Sequence, residues 1–148
     1  NVPKEVGKFF FSKAKYNEAA QYFEKSLTAK HDDIETIELL LYTYSESGKY
    51  DSLLKKATEY IDLYPTHARL YYFAGLAANK EKQFAKAKDY LESGIDYVVE
   101  DIELEANMNR QLGEAYSGLG DHKKREAYFA KADKLIKSKK SFRQVKIK

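Results

Sequence analysis

The amino-acid sequence predicts an all-α solenoid of four antiparallel helix pairs. Apolar residues recur at helical spacing through most of the 148 residues, and glycine or proline interrupts the stripes at regular intervals. Equivalent residues also repeat after a constant 34 positions. No single helix pair could bury so many aromatic side chains alone, so we expect successive pairs to stack into one elongated domain.

The 34-residue period holds in several columns of equivalent positions. They are Gly7, Leu41 and Gly75; Phe10, Tyr44 and Ala78; Tyr16, Tyr50 and Phe84; and Phe23, Ala57 and Leu91. The next step, from Gly75 to Gly113, is 38. Four added residues make about one helical turn, which we place near residues 98–105, at the junction of the sixth and seventh helices. Small residues in these columns are expected where two helix axes cross closely, with aromatic side chains filling the hollows between them.

The first unit, about residues 1–32, should contain two helices of about four turns each. Pro3 is tolerated in the first turn of a helix, and Tyr16 opens the second helix. The apolar stripes run through Val6, Gly7, Phe10 and Ala14, and then through Ala19, Phe23 and Leu27.

The second unit, about residues 33–66, has clear start and stop signals. Asp32 and Asp33 both suit the N-cap of the third helix, and Glu35 follows Asp32 by three residues, as in a capping box. Gly48 should end that helix. Pro65 should stop the fourth helix because proline cannot continue the hydrogen-bond ladder.

The third and fourth units, about residues 67–104 and 105–138, continue the alternation. Thr66 is expected to cap the fifth helix. Acidic residues at the inserted turn should cap the seventh helix and complement its dipole rather than bind calcium: Glu100, Asp101, Glu103 and Glu105. Residues 139–148 are expected to form a basic C-terminal tail.

The fourth unit has a recognisable pattern. Leu112-Gly113 is followed after two residues by Tyr116, then by Gly120, and on the next helix by Phe129 and Ala132. This pattern recurs upstream and resembles the tetratricopeptide repeat over nearly the whole chain. The family's tryptophan is absent, however, and only Pro65 keeps its terminal proline. The resemblance implies a right-handed superhelix that serves as a scaffold for binding another protein.

The resemblance also implies where a partner would bind. In the family, the first helix of each pair lines a concave groove, and the corresponding residues here are Lys4, Lys8, Glu38, Tyr42, Tyr72, Leu76, Asn79, Arg110, Glu114 and Ser117. Tyr42, Tyr72 and Leu76 break the pattern by which family members clamp the C-terminal carboxylate of a chaperone tail. The two tyrosines could instead anchor a partner segment with an apolar anchor and acidic residues. The alternative is that both simply pack against neighbouring helices.

Composition excludes several kinds of function. There is no cysteine, so disulfides and thiolate chemistry are absent, and the compartment is not indicated. No phosphate-binding or nucleophile motif occurs, and His31, His67 and His122 lack ligand spacing and a predicted partner. We therefore predict no enzymatic activity, no cofactor and no metal. The excess of lysine over arginine also disfavours nucleic acid as a partner.

Other hypotheses remain open at this point. Since the chain begins with Asn1 rather than Met and the repeats start at once, it looks like part of a longer chain, in which it could target or regulate an enzyme. The basic tail could touch nucleic acid or an anionic membrane, although a frayed, solvated terminus is the simpler interpretation. Uncapped solenoid ends would also permit self-association.

Overall fold

The computed structural model describes residues 1–147, with side chains through Ser141. Within that part of the chain all regular structure is helical, which confirms the all-α solenoid of four helix pairs. The helices are α1 (Val2–Ser12), α2 (Tyr16–Ala29), α3 (Ile34–Glu46), α4 (Tyr50–Leu63), α5 (Ala68–Lys80), α6 (Phe84–Ile95), α7 (Ile102–Gly118) and α8 (His122–Ile147).

Close helix crossings occur at the predicted glycines. A side chain on Gly7, Gly75 or Gly113 would come closer than 3.0 Å to Phe23, Leu91 or Phe129, respectively. In the second unit the two roles are exchanged, because the large Leu41 is on the first helix and the small Ala57 is on the second, both fully buried. The same space between two helices is therefore filled from opposite sides in different units.

The caps differ from two predictions. The N-cap of α3 is Asp33, whose carboxylate accepts from the Thr36 amide. A capping box would therefore need an acidic residue at position 36, and Glu35 is one residue too early. The prediction that Thr66 caps α5 is wrong, because His67 occupies the N-cap position and makes no side-chain capping bond. Asp101 caps α7 as predicted, accepting from the Leu104 amide.

The extra turn is inside α7. The N-cap residues Asp33, His67 and Asp101 keep the 34-residue spacing, whereas α7 has 17 residues and α5 has 13. The four added residues therefore lie within α7, between Asp101 and Gly113, rather than at the junction of the sixth and seventh helices. This change leaves the crossing at Gly113 intact, because it adds one whole turn.

The last helix runs past the predicted start of the tail. Helix α8 has 26 residues and crosses position 139, where the side chain of Lys139 pairs with Glu103 of α7 at 2.9 Å. The interpretation of the tail side chains from 142 onward lies outside the described residues, so the division into a solenoid and a tail stays a prediction. Within residues 1–147 no helix is both long enough and apolar enough to cross a bilayer.

Candidate functional site

The predicted groove is the surface carried by the first helices of the four units, α1, α3, α5 and α7. Its centre is a hollow of about 240 Å³ between α3 and α5. The hollow has an apolar floor and a charged rim, lined by Glu35, Glu38, Leu39, Tyr42, Arg69 and Phe73. Two of the predicted groove residues, Glu38 and Tyr42, therefore lie beside one cavity.

Tyr42 is the most exposed aromatic residue of the predicted set. Its side chain is 47% exposed, and its ring centroid lies 5.5 Å from that of Phe11 on α1. Partial burial raises the pKa of its hydroxyl, and the nearby Glu46 carboxylate adds to this effect. Tyr42 is thus held in place from one side and presents the rest of its ring to the groove.

Tyr72 and Leu76 on α5 lie deeper than Tyr42. Tyr72 is partly buried, and its ring centroid is 5.3 Å from that of Phe73. Burial raises the pKa of the Tyr72 hydroxyl, and the nearby Tyr42 hydroxyl raises it further. The two tyrosines are therefore close enough to interact electrostatically. Leu76 is only 9% exposed and belongs to the hydrophobic core, so it contributes little surface to the groove.

The lysines at the first end of the groove are paired. Lys4 lies 3.0 Å from Asp33 and 3.6 Å from Glu35, and Lys8 lies 2.8 Å from Glu35. Burial alone would raise the pKa of Asp33, but hydrogen bonds from Lys4 and Thr36 outweigh it and hold that pKa below its usual range. These lysines connect α1 to α3, and their charges are largely compensated.

Similar pairs connect the other first helices. Glu38 of α3 is 2.7 Å from the Nε2 of His67 and 3.5 Å from Arg69, and Arg69 is 2.9 Å from Asp101. The expectation that the histidines have no partner is therefore wrong for His67. At each junction, a residue near the start or middle of one first helix contacts the N-cap residue of the next. We call these contacts the ion-pair ladder.

The ladder was not found from the sequence, although a signal for it exists. Lys4 and Glu38 are 34 residues apart, as are Asp33 and His67. The first pair is thus repeated in the second unit with the carboxylate on the preceding first helix instead of at the N-cap. A carboxylate recurring 34 residues from a basic residue was the available signal, but the contact depends on how the units stack.

The last predicted residues have different surroundings. The amide of Asn79 donates to the backbone oxygen of Gln111 at 2.9 Å and to its side-chain oxygen at 3.0 Å, which ties α5 to α7. Arg110 and Glu114 are exposed on α7, and Arg110 donates to Asn107 at 3.1 Å. Among the charged residues of the predicted set, the most exposed are therefore the two on α7. Ser117, one turn further along, is partly exposed.

In the described part of the chain, no group of three or more His, Asp or Glu side chains is arranged to hold a metal ion. The groove can offer aromatic surface, an apolar floor and charged rims, which are properties of a surface that binds another molecule.

These features define the chain as a helical-repeat solenoid with a hollow between two of its first helices, α3 and α5. The family model for the tetratricopeptide repeat matches residues 68–97 and 106–139, which correspond to the third and fourth units. The third and fourth units are therefore tetratricopeptide repeats, which confirms for this part of the chain the resemblance seen in the sequence. The family and fold are those of protein–protein interaction scaffolds.

Several solved structures have the same architecture, and their matches cover most of this chain. MamA 41-end from Desulfovibrio magneticus RS-1 has a TM-score of 0.77 at 22% identity, covering 92% of this chain and 75% of its own. MamA MSR-1 has a TM-score of 0.75 at 20% identity, covering 93% and 77%. The Sgt2 TPR domain from Aspergillus fumigatus has a TM-score of 0.69 at 18% identity, covering 81% and 78%. At such identities the likeness establishes a shared fold. No curated protein matches the sequence.

Proposed function

We propose that this chain is an interaction scaffold that binds a segment of a partner protein in the groove and performs no chemistry of its own. The observation that carries the proposal is the position of Tyr42, which is exposed beside a hollow with an apolar floor. An aromatic ring held from one side is a typical anchor at protein interfaces, because it offers large contact area at low entropic cost.

The charges of the groove refine the partner's chemistry. Lys4 and Lys8 already pair with the carboxylates of α3, so they offer little charge to a ligand. Arg110 is exposed, and it is close enough to Tyr72 to lower the pKa of that hydroxyl, although burial dominates and raises it. The proposed ligand therefore places an apolar side chain at Tyr42 and an acidic residue towards Arg110.

Peptide selection tests this proposal directly on the purified chain. A random peptide library is displayed on phage and selected on the immobilised protein, and the affinities of enriched peptides are measured by fluorescence anisotropy. We expect an apolar anchor followed by acidic residues. Tyr42→Ala should weaken binding by about tenfold or more, and Arg110→Glu should weaken it further for the more acidic peptides.

The matched control is Lys55→Ala. Lys55 is exposed on α4, which is the second helix of its unit and does not belong to the groove. It should leave the affinities unchanged. Peptides that bind equally well to the Tyr42→Ala and Arg110→Glu variants but lose affinity with Lys55→Ala would contradict the proposed groove.

A further inference from the structure

A second contact position between the helices of a unit lies one turn before the close crossings, and it is filled differently from unit to unit. In the second unit the first helix supplies Ile37, which is fully buried, and the second helix supplies Tyr60. In the third unit the equivalent residues are Tyr71 and Gly94. A side chain on Gly94 would come closer than 3.0 Å to Tyr71. Each of these two units therefore places one aromatic side chain at this position.

The fourth unit has no large side chain there. The equivalent residues are Asn109 and Ala132, which are 4% and 1% exposed. Next to Asn109 lies a hollow of about 480 Å³, larger than the one beside Tyr42. The apolar part of its lining comes from Ile95 and Leu135. We call this space the α7 hollow. It is open because no aromatic ring of the unit fills it.

The length of α8 gives the α7 hollow one of its walls. Helix α6 ends at Ile95, whereas α8 continues beyond the equivalent position, so that Leu135 and Ser138 line the hollow. In the third unit the equivalent of Leu135 is Tyr97, whose ring centroid lies 5.8 Å from that of Tyr71. The hollow is therefore bounded by three consecutive helices, α6, α7 and α8, and an aromatic pair occupies the corresponding place one unit earlier.

Four charged side chains surround the apolar part of the α7 hollow. Asp96 and Glu105 supply carboxylates from the α6 and α7 sides, and Lys131 and Lys134 supply ammonium groups from α8. Among the residues whose side chains are described, none of the four belongs to an ion pair, although the ammonium of Lys131 lies 5.5 Å from the ring centroid of Tyr128. A bound segment that carries both signs of charge would find partners for both.

Asn109 adds a hydrogen-bonding group to the lining. Its amide nitrogen donates to the backbone oxygen of Glu105 at 2.9 Å, which leaves the amide oxygen as an acceptor. In the third unit the hydroxyl of Tyr71 donates to the backbone oxygen of Pro65. A tyrosine in the α7 hollow needs a similar acceptor, and Asn109 is the uncharged side chain that offers one beside the apolar lining.

We propose that the α7 hollow binds an aromatic side chain, tyrosine in preference to phenylalanine, from a segment of a partner protein that has acidic residues on one side of the ring and basic residues on the other. The ring takes the place that Tyr71 has in the third unit. The charged rim extends beyond one side chain, which favours a peptide segment over a small aromatic molecule. Because α6 and α8 are second helices, this site is separate from the groove at Tyr42 and is tested independently of it.

The probe is a short synthetic peptide with a central tyrosine, lysines on one side and glutamates on the other. Its affinity for the 148-residue chain is measured by fluorescence anisotropy. Replacing the tyrosine of the peptide by alanine should weaken binding by about tenfold or more. N-acetyltyrosinamide, titrated as a competitor, should bind more weakly than the peptide. An equal affinity would contradict the proposal, because a small aromatic molecule would then be sufficient.

A double substitution fills the α7 hollow from within. Asn109→Tyr with Ala132→Gly recreates the pair of Tyr71 and Gly94, and it should weaken peptide binding by about tenfold or more. Circular dichroism should show unchanged helicity and melting at or above the temperature of the original chain, as for other filled cavities.

A second variant changes only exposed residues. Lys131→Glu with Lys134→Glu should weaken binding by about threefold or more and should favour a peptide in which lysines replace the glutamates. Tyr42→Ala is the matched control and should leave the affinity unchanged. No measurable binding, equal affinity for the tyrosine and alanine peptides, or an affinity that neither double variant changes would overturn the proposal.

Crosslinking distinguishes the possible occupants. A photoreactive phenylalanine analogue replaces Ser138, which is exposed at the wall of the α7 hollow, and the variant is irradiated in a lysate of cells that express it. We expect a crosslink to a different protein that the tyrosine peptide competes and the alanine peptide does not. A crosslink confined to another segment of the same chain, or to a second copy of it, would overturn the proposal.

Discussion

Tyr42 and Tyr44 are two residues apart on α3 and have opposite environments. Tyr44 is 6% exposed, packs in the junction with the first unit and donates its hydroxyl to Glu24. Tyr42 is on the groove side, with Phe11 on one side and solvent on the other. The difference teaches that the two faces of one helix have different surroundings: the junction side packs into the solenoid, and the groove side leaves an aromatic ring half exposed.

The largest effect on stability is expected for Leu91→Ala, at the crossing of α5 and α6. Leu91 is fully buried and fills the space left by Gly75, so its truncation should lower the free energy of unfolding by about 2–5 kcal/mol. Urea denaturation of the variant measures this directly. Leu63→Ala is the matched control, because Leu63 is 65% exposed and should change stability by less than about 0.5 kcal/mol.

A double substitution tests the exchange of roles between the second and third units. Gly75→Leu alone should cost about 1–3 kcal/mol by overpacking against Leu91. Combined with Leu91→Ala, it recreates the arrangement of Leu41 and Ala57, so the double variant should lose less stability than the two single variants together. A loss equal to their sum would show that the two crossings are not equivalent.

The junction tyrosines predict a loss of stability at high pH. Burial, followed by a hydrogen bond to a carboxylate, raises the pKa of both Tyr44 and Tyr116 above the unfolded value of 10.0. Because the unfolded chain loses these protons first, their contribution to stability is complete below about pH 10 and falls as pH rises further. Thermal melts across pH 8–12 should therefore show a fall starting near pH 10. The Tyr44→Phe variant should show a shallower fall, and an identical pH profile would contradict the assigned environment of Tyr44.

A small effect on stability is expected for Tyr42→Ala. Its ring is half exposed, and its loss should lower the free energy of unfolding by less than about 1 kcal/mol. Urea denaturation beside Tyr44→Ala, expected to cost about 3 kcal/mol or more, gives the contrast between the two faces. Similar losses for the two variants would mean that Tyr42 is a structural residue.

The helices, the 34-residue repeat and the close helix crossings could be predicted from the sequence, because each requires apolar or small residues at regular intervals. Gly75 and Gly113 could be placed at crossings because each column pairs a small residue with a large one, with the sizes exchanged only at Leu41 and Ala57. Leu76 was assigned to the groove and lies in the core, because a small rotation of the helix decides between the two. The ion-pair ladder was missed since its partners, such as Lys4 and Asp33, meet only once the units have stacked.

Site-specific photo-crosslinking tests the central claim that recognition occurs on the groove side of the first helices. A photoreactive phenylalanine analogue replaces Tyr42 in one variant and Lys55 in another. Lys55 is exposed on α4, the second helix of the second unit. Both variants are irradiated in cells that express the chain. We expect a discrete crosslinked protein from position 42, competed by the selected groove peptides, and none from position 55. The same crosslinked protein from position 55, with none from position 42, would contradict the account.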